Sequence, residues 1–140
     1  MPLIPVPQIA ANLVEECTAE LERGPDPLPQ NAIDAARYAV TDLRADLVGA
    51  ESAAERAVIS AALWDAGARL LLDVDRCWQG TGKGLLRSLR ERDRIAADGL
   101  ASELISGLEC SASDPDALRR AIDGVLSHAG GALFENYSVR

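Results

Sequence analysis

The chain has little of several residue types on which common folds and functions depend. Only five of its 140 residues are aromatic, and His128 is its single histidine. This scarcity disfavours a sheet and excludes a metal cluster built from several histidines. No apolar run approaches the roughly 18 residues that would span a membrane. Alanine and leucine supply much of the apolar content of 48%, which favours an all-α fold of packed helices.

Cysteine is also scarce, and its placement bears on compartment and chemistry. Cys17, Cys77 and Cys110 are odd in number, far apart and without the CxxC spacing of metal or redox sites. This pattern predicts reduced, buried thiols in a cytoplasmic protein. The first residues lack the charged region and the apolar run of a signal peptide, so we expect none. No cofactor and no metal are predicted.

Acidic residues outnumber basic ones, which gives the chain a net charge of −8 at pH 7. This balance argues against general nucleic-acid binding. Residues 76–94 differ, because six Arg or Lys residues there meet only Glu91 and Asp93. The segment therefore carries a net charge of +4 and leaves −12 for the rest of the chain.

Apolar residues at intervals of three and four predict five or six helices. Ser52 and Glu55 form a capping box, and we expect the helix that they begin to be the longest and to lie at the centre. The sequence thus predicts a single-domain antiparallel helical bundle with a core like that of a four-helix bundle. We expect an extended N-terminal arm over residues 1–7, the bundle over 8–140, and helices over about 8–23, 31–48, 52–78, 84–93, 95–108 and 115–129.

The basic segment contains the best candidate for a binding site. Its cations at intervals of four, three and four lie on one stripe of a helix: Lys83, Arg87, Arg90 and Arg94. A glycine-rich turn, with Trp78 beside it, precedes the stripe. Backbone N–H groups at the start of a helix and nearby cations can bind an anion such as phosphate. We predict Trp78, Lys83, Arg87 and Arg90 as ligand-binding residues. A docking face for an acidic partner and a merely solvated face are the alternatives.

Two features that suggest catalysis do not meet its requirements. Gly80-Thr-Gly-Lys83 lacks the spacing of a P-loop, and Gly84 stands where that motif needs Ser or Thr to hold magnesium. His128 lies in the predicted last turn of a helix, where a cation complements the helix dipole, and no activated nucleophile accompanies it. No catalytic residue is therefore predicted.

Asp73 and Asp75 resemble a metal-binding pair in their spacing. Residues two apart on a helix point in different directions, so the two carboxylates cannot easily share an ion. We expect ordinary ion pairing instead, because Asp65 and Asp73 each lie four residues from Arg69. If the helix ends early, the aspartates can face Lys83 and Arg87.

Three segments in order resemble a known family. They are Arg37-Tyr-Ala-Val-Thr-Asp-Leu-Arg-Ala-Asp-Leu47, the Trp-x-Gly-x-Gly-Lys segment within Trp78–Arg90, and Gly130-Gly-Ala-Leu-Phe-Glu-Asn-Tyr137. Together they resemble the helical C-terminal region of bacterial nucleotidyltransferase-like proteins of the DNA polymerase β superfamily. The resemblance covers about residues 25–140.

The resemblance implies the accessory half of such a protein without its catalytic half. The family's catalytic domain has a Gly-Ser turn followed by Asp-x-Asp on a strand, whereas Asp73 and Asp75 lie in a predicted helix. The implied function is a non-catalytic substrate-binding or accessory module, with Lys83 and Arg87 as contacts to phosphate. The implied partners are a nucleotidyltransferase catalytic domain or subunit and a nucleotide or phosphorylated small molecule. The alternative is a free-standing interaction module that homodimerises through an apolar bundle face.

Overall fold

The protein is a bundle of α-helices. The computed structural model describes residues 6–134, and for Val6 and residues 20–22 it describes the backbone only. Within this part there is no strand, and the helices are α1 Val6–Arg23, α2 Gln30–Val48, α3 Ala53–Val74, α4 Lys83–Ala96, α5 Leu100–Glu109 and α6 Pro115–Ala129. The predicted all-α bundle of five or six helices is therefore confirmed.

Helix α3 lies at the centre, as predicted, and packs against α2, α4, α5 and α6. Its start has the expected Ser52 cap, whose Oγ accepts the Glu55 N–H at 3.1 Å, but Glu55 Oε2 accepts the N–H of Glu51, one residue before the cap, at 2.8 Å, where a capping box would use the Ser52 N–H. Its second half supplies much of the core, including the fully buried Leu63, Leu70, Leu71 and Leu72. This packing fixes the end of α3, beside which the candidate site lies.

The predicted end of α3 at residue 78 is wrong, because the helix stops at Val74. Arg76 adopts a left-handed conformation with φ of 54°, the Arg76 N–H donates to Asp73 O, and the Cys77 N–H donates to Leu72 O at 2.8 Å. These bonds form a Schellman ending, which usually places glycine where Arg76 stands. The early end releases Asp75–Gln79 from the helix and makes them available to the site.

Two other helix boundaries differ from the prediction. Helix α2 begins after Pro29, not Asn31, and no side chain caps it. Helix α4 runs on to Ala96 and ends at Ala97, whose φ is 57°. Ile95, which the predicted helix over 95–108 includes, instead lies in the last turn of α4 and is 70% exposed.

Helix α1 differs from the others because no other helix of the described chain packs against it. Val6 and Pro7 belong to this helix, so they are not part of an extended arm; residues 1–5 of that predicted arm lie outside the described residues. The helix joins the bundle through Gly24, which is buried with a φ of 78°. A Cβ atom there would collide with Arg76 O, and Arg76 Nε donates to Pro25 O at 3.0 Å.

The thiols are free, but the prediction that they are buried is wrong. Cys17 and Cys110 are exposed, and Cys77 is half-buried. Between residues 6 and 134, no helix has the length and apolar character needed to cross a membrane.

Candidate functional site

A cavity of about 870 Å³ opens where the ends of several helices meet. The last turn of α1, the segment that joins α3 to α4, one side of α4 and the end of α6 form its walls. Trp78 contributes an aromatic surface that is 48% exposed, and Ile95 adds an apolar rim. The cavity combines this apolar surface with five arginines: Arg23, Arg76, Arg87, Arg92 and Arg94.

The four predicted ligand-binding residues divide between the cavity and the outer surface. Trp78 and Arg87 line the cavity, whereas Lys83 and Arg90 do not. All four side chains are exposed. The division follows from the rotation of α4, which buried leucines fix against the bundle. The cavity therefore lies on one side of the predicted stripe. Arg87 and Arg94 of the stripe line it, and Lys83 and Arg90 do not.

The arginines of the cavity differ in how far they are neutralised. Arg94 pairs with Glu91 one turn away, with Nε 3.0 Å from Oε2. Arg76 uses Nε on a backbone carbonyl, as described above. Among the described side chains, Arg23, Arg76 and Arg87 have no salt bridge. The positive charge of these three guanidinium groups is therefore not neutralised by a salt bridge to a described side chain.

Arg92 is the most buried charged residue of the described chain, with only 2% of its surface exposed. Its Nε lies 2.6 Å from Asp75 Oδ2, its Nη1 2.9 Å from Asp93 Oδ1 and its Nη2 2.8 Å from Asp98 Oδ2. Burial acts to lower the pKa of Arg92, but the three carboxylates outweigh it and raise that pKa. The guanidinium therefore stays charged and links the ends of α3 and α4 to the start of α5. These four residues are called the Arg92 cluster below.

Two carboxylates of this cluster, those of Asp98 and Asp93, have a lowered pKa because of their hydrogen bonds. The hydrogen bonds from Arg92 lower the pKa of Asp98 to about 2. Burial acts to raise the pKa of Asp93, but hydrogen bonds from Ser102, Arg92 and the Ala101 N–H prevail and lower it. Asp93 thereby caps the start of α5, whose own preceding residue provides no side-chain cap.

The two aspartates that resemble a metal site have separate partners. Asp73 hydrogen-bonds to Gln79, which in turn accepts from Arg69. Arg69 forms its salt bridge with Asp65, at 3.1 Å. Helix α3 does end early. However, Asp75 then pairs with Arg92, and not with Lys83 or Arg87 as that alternative predicted. The described residues contain no group of side chains suited to hold a metal ion.

His128 lies in the last turn of α6, where the sequence placed it. Its Nε2 lies 2.7 Å from Asp75 Oδ1, at the edge of the Arg92 cluster and on the cavity wall. The contact joins α6 to the end of α3. The histidine thus has a structural carboxylate partner in addition to its place at the negative end of a helix.

The glycine-rich turn before α4 is closed on itself. The Gly80 N–H donates to Ser88 Oγ at 3.2 Å, and Ser88 Oγ donates to Gly84 O at 3.0 Å. A Cβ atom on Gly80 would lie 2.6 Å from the Gly84 carbonyl carbon. Ser88 thus holds the turn in place, and its hydroxyl is already used.

The thiol in the cavity is poorly suited to act as a nucleophile. Burial and the nearby Asp75 carboxylate raise the pKa of Cys77. A thiol with a raised pKa stays protonated, and the protonated form is a weak nucleophile. Cys77 Sγ also lies 3.7 Å from Asp75 O, to which it donates.

Sequence reasoning missed the Arg92 cluster. Arg92 was counted among the six basic residues of 76–94. It does not belong to the stripe of Lys83, Arg87, Arg90 and Arg94, and the prediction drew nothing from that difference. It follows Leu85 by seven residues and Leu89 by three, and both leucines are buried. That spacing places it on the apolar side of α4, which is the signal that could have identified it. Its partners come from segments that the sequence alone does not bring together.

Comparisons with protein-family models, curated proteins and solved structures find no match to this chain. The resemblance to nucleotidyltransferase-like proteins therefore stays a prediction.

Proposed function

We propose that this chain is a non-catalytic helical module that binds a small phosphorylated ligand in the cavity beside α4. The observation that carries the proposal is the presence around one cavity of an acidic chain of three arginines that form no salt bridge with any described side chain. Guanidinium groups bind phosphate through paired, charge-assisted hydrogen bonds. Trp78 offers a flat apolar surface next to them, which suits a ligand with an apolar or aromatic part.

The exposure and the hydrogen bonds of the arginines indicate which of them can contact a ligand. Arg92 is saturated by three carboxylates, so it forms the floor of the cavity and is not available to a ligand. Arg87 lies on the same helix, is exposed and lines the cavity. We assign the main phosphate contact to Arg87, with Arg23 and Arg76, which line the same cavity, as further contacts.

A binding role is preferred to a catalytic one because the reactive groups of the cavity are already engaged. Ser88 holds the glycine turn, His128 contacts Asp75, and the Cys77 thiol has a raised pKa. The proposed ligand chemistry agrees with the nucleotide or phosphorylated molecule implied by the family resemblance. A nucleotidyltransferase subunit on another chain is the corresponding proposed partner.

Isothermal titration calorimetry with pyrophosphate, a nucleoside triphosphate and a sugar phosphate tests the proposal. Arg87→Ala is expected to weaken binding by about tenfold, because it removes a charge-assisted contact. Arg90→Ala is the matched control. It removes an exposed arginine of the same helix that lies outside the cavity, and it should change the affinity by less than about twofold.

Three outcomes would overturn the proposal. The first is that none of the probes binds to the wild-type chain at low salt. The second is an equal loss of affinity in the two variants, because general attraction to the basic helix would then explain binding. The third is turnover of a probe by the pure chain, which would show that the module is catalytic.

A further inference from the structure

Helix α1 presents an apolar face that stays exposed in the described part of the chain. Ile9, Leu13 and Val14 are exposed, and Val14 retains 65% of its surface. No other helix in residues 6–134 packs against α1. An isolated helix of this length is marginally stable in water, and amphipathic helices gain their stability by burying the apolar face. The face therefore requires a partner surface.

The charge of α1 narrows the choice of partner. The helix contains Glu15, Glu16, Glu20 and Glu22 against Arg23 alone, which gives a net charge of −3. An anionic membrane surface would repel it. Two α1 helices packed against each other would bring −3 next to −3. The partner surface should be basic, with exposed apolar residues beside it.

The rim of the cavity has these properties. Helix α4 carries five basic residues against two acidic ones, a net charge of +3 that is opposite and equal to that of α1. Trp78 and Ile95 are large apolar residues that stay exposed next to it. The exposed basic residues Lys83 and Arg90, which the cavity does not use, extend the positive surface.

The α1 helix of the same chain is poorly placed to cover this surface. Its C-terminal part already contributes Thr18 and Arg23 to the cavity wall, while Ile9, Leu13 and Val14 stay exposed nearer its N-terminus. Gly24 is held against Arg76, and three prolines follow in the link to α2. Swinging α1 onto its own α4 would break these contacts.

We propose that the chain forms a symmetric homodimer in which α1 of each copy packs on the α4 rim of the other. A symmetric exchange makes the same contact twice, which is the usual design of a two-fold interface. The proposal concerns the rim of the cavity and does not depend on a ligand. Its failure and the failure of phosphate binding are therefore separate results.

Sedimentation equilibrium of the full chain, from micromolar to millimolar concentration and at low salt, tests the proposal. Val14→Asp is expected to raise the dissociation constant of the dimer at least about tenfold, because it places a charge in a desolvated contact. Val58→Asp is the matched control. Val58 is a similarly exposed valine, at 71%, that belongs to α3 and to neither of the proposed contact helices. Its substitution should leave the dimer unchanged.

A charge exchange distinguishes docking between copies from docking within one chain. Glu16→Arg alone changes the net charge of α1 from −3 to −1, and Arg90→Glu alone changes that of α4 from +3 to +1, so each variant weakens both contacts of its dimer. An equal mixture of the two variants should dimerise more strongly than either variant alone, because one of the two contacts in the mixed dimer joins an unsubstituted α1 to an unsubstituted rim. This test also replaces the valine pair if Val14→Asp fails to fold.

The proposal is overturned if the wild-type chain is monomeric at all concentrations. It is equally overturned if Val58→Asp weakens the dimer as much as Val14→Asp does. A mixture of the charge variants that stays monomeric would exclude the exchange of α1.

Discussion

Arg87 and Arg92 lie five residues apart on one helix and have opposite surroundings. Arg87 is exposed and has no salt bridge among the described residues, whereas Arg92 is buried among Asp75, Asp93 and Asp98. Both count equally toward the positive charge of the segment. The difference shows that the side of the helix decides whether a cation binds the protein or is free for a ligand. A local charge count does not separate these roles.

Arg92 and Arg87 should also differ in how much each contributes to the free energy of unfolding. Arg92 has lost its hydration, and the carboxylates around it compensate for that loss, so removing it leaves negative charges without a partner. Arg87 keeps its water and contributes little to the folded state. Stability measurements should therefore respond to Arg92, and binding measurements should respond to Arg87.

The largest expected effect is on stability. Arg92→Ala should lower the free energy of unfolding by roughly 3 kcal/mol, because it breaks a buried ion cluster by removing one partner. Arg87→Ala should change it by less than about 0.5 kcal/mol. Urea unfolding followed by circular dichroism measures both. Equal effects of the two substitutions would contradict the distinction between them.

A second prediction asks whether the binding surface is the cavity or the whole stripe. Lys83→Ala should reduce the affinity for phosphorylated probes by less than about twofold, because Lys83 lies outside the cavity. The double variant with Lys83→Ala and Arg87→Ala should then bind the probes almost as tightly as the Arg87→Ala variant does. Titration calorimetry of the two single variants and the double variant measures this. A further tenfold loss in the double variant would restore the stripe as the binding surface.

The third prediction concerns acid. Arg92 lowers the pKa of Asp98 to about 2 in the folded state, from an ordinary value of 3.8. The contribution of this pair to stability is therefore complete above pH 3.8 and is lost as the pH falls toward 2. Asp98→Asn should cost about 1 kcal/mol at pH 7, since the carboxylate is partly exposed and solvent screens the pair. The difference between wild type and variant should shrink toward pH 2.

Urea unfolding at several pH values measures this change. A difference that stays constant from pH 7 to pH 2 would contradict ion pairing as its cause.

The smallest effect is expected for the exposed pair of Arg94 and Glu91. Both side chains are more than half exposed, so solvent and salt weaken their attraction. Arg94→Ala should lower the free energy of unfolding only slightly at low salt and by less at high salt. Thermal unfolding at two salt concentrations checks this. A loss comparable to that of Arg92→Ala would show that exposure is a poor guide to the role of these arginines.

Much of the fold could be predicted because local signals determine it. The spacing of apolar residues predicted the helices, and Ser52 with Glu55 predicted the start of α3. The end of α3 could not be predicted, because Arg76 holds a left-handed position that glycine usually occupies. Contacts with Gly24 and Pro25, about fifty residues earlier in the chain, support that conformation.

The candidate site was predicted in part. The spacing of charges identified the helix and included Arg87 and Trp78, which line the cavity. The same spacing could not show that Lys83 and Arg90 lie outside it, because the position of the cavity depends on how α3 ends. The Arg92 cluster depends on contacts between distant segments, and only the folded chain brings Asp75 and Asp98 to one guanidinium.

A single substitution at Gly24 should uncouple helix α1 from the rest of the bundle. The orientation of α1 depends on the absence of a side chain at one position, because any Cβ there would collide with Arg76 O. Gly24→Ala should therefore release α1 from its seat while leaving the core residues of α2–α6 untouched. One methyl group at this position would thus free the orientation of α1 from that of the bundle of α2–α6.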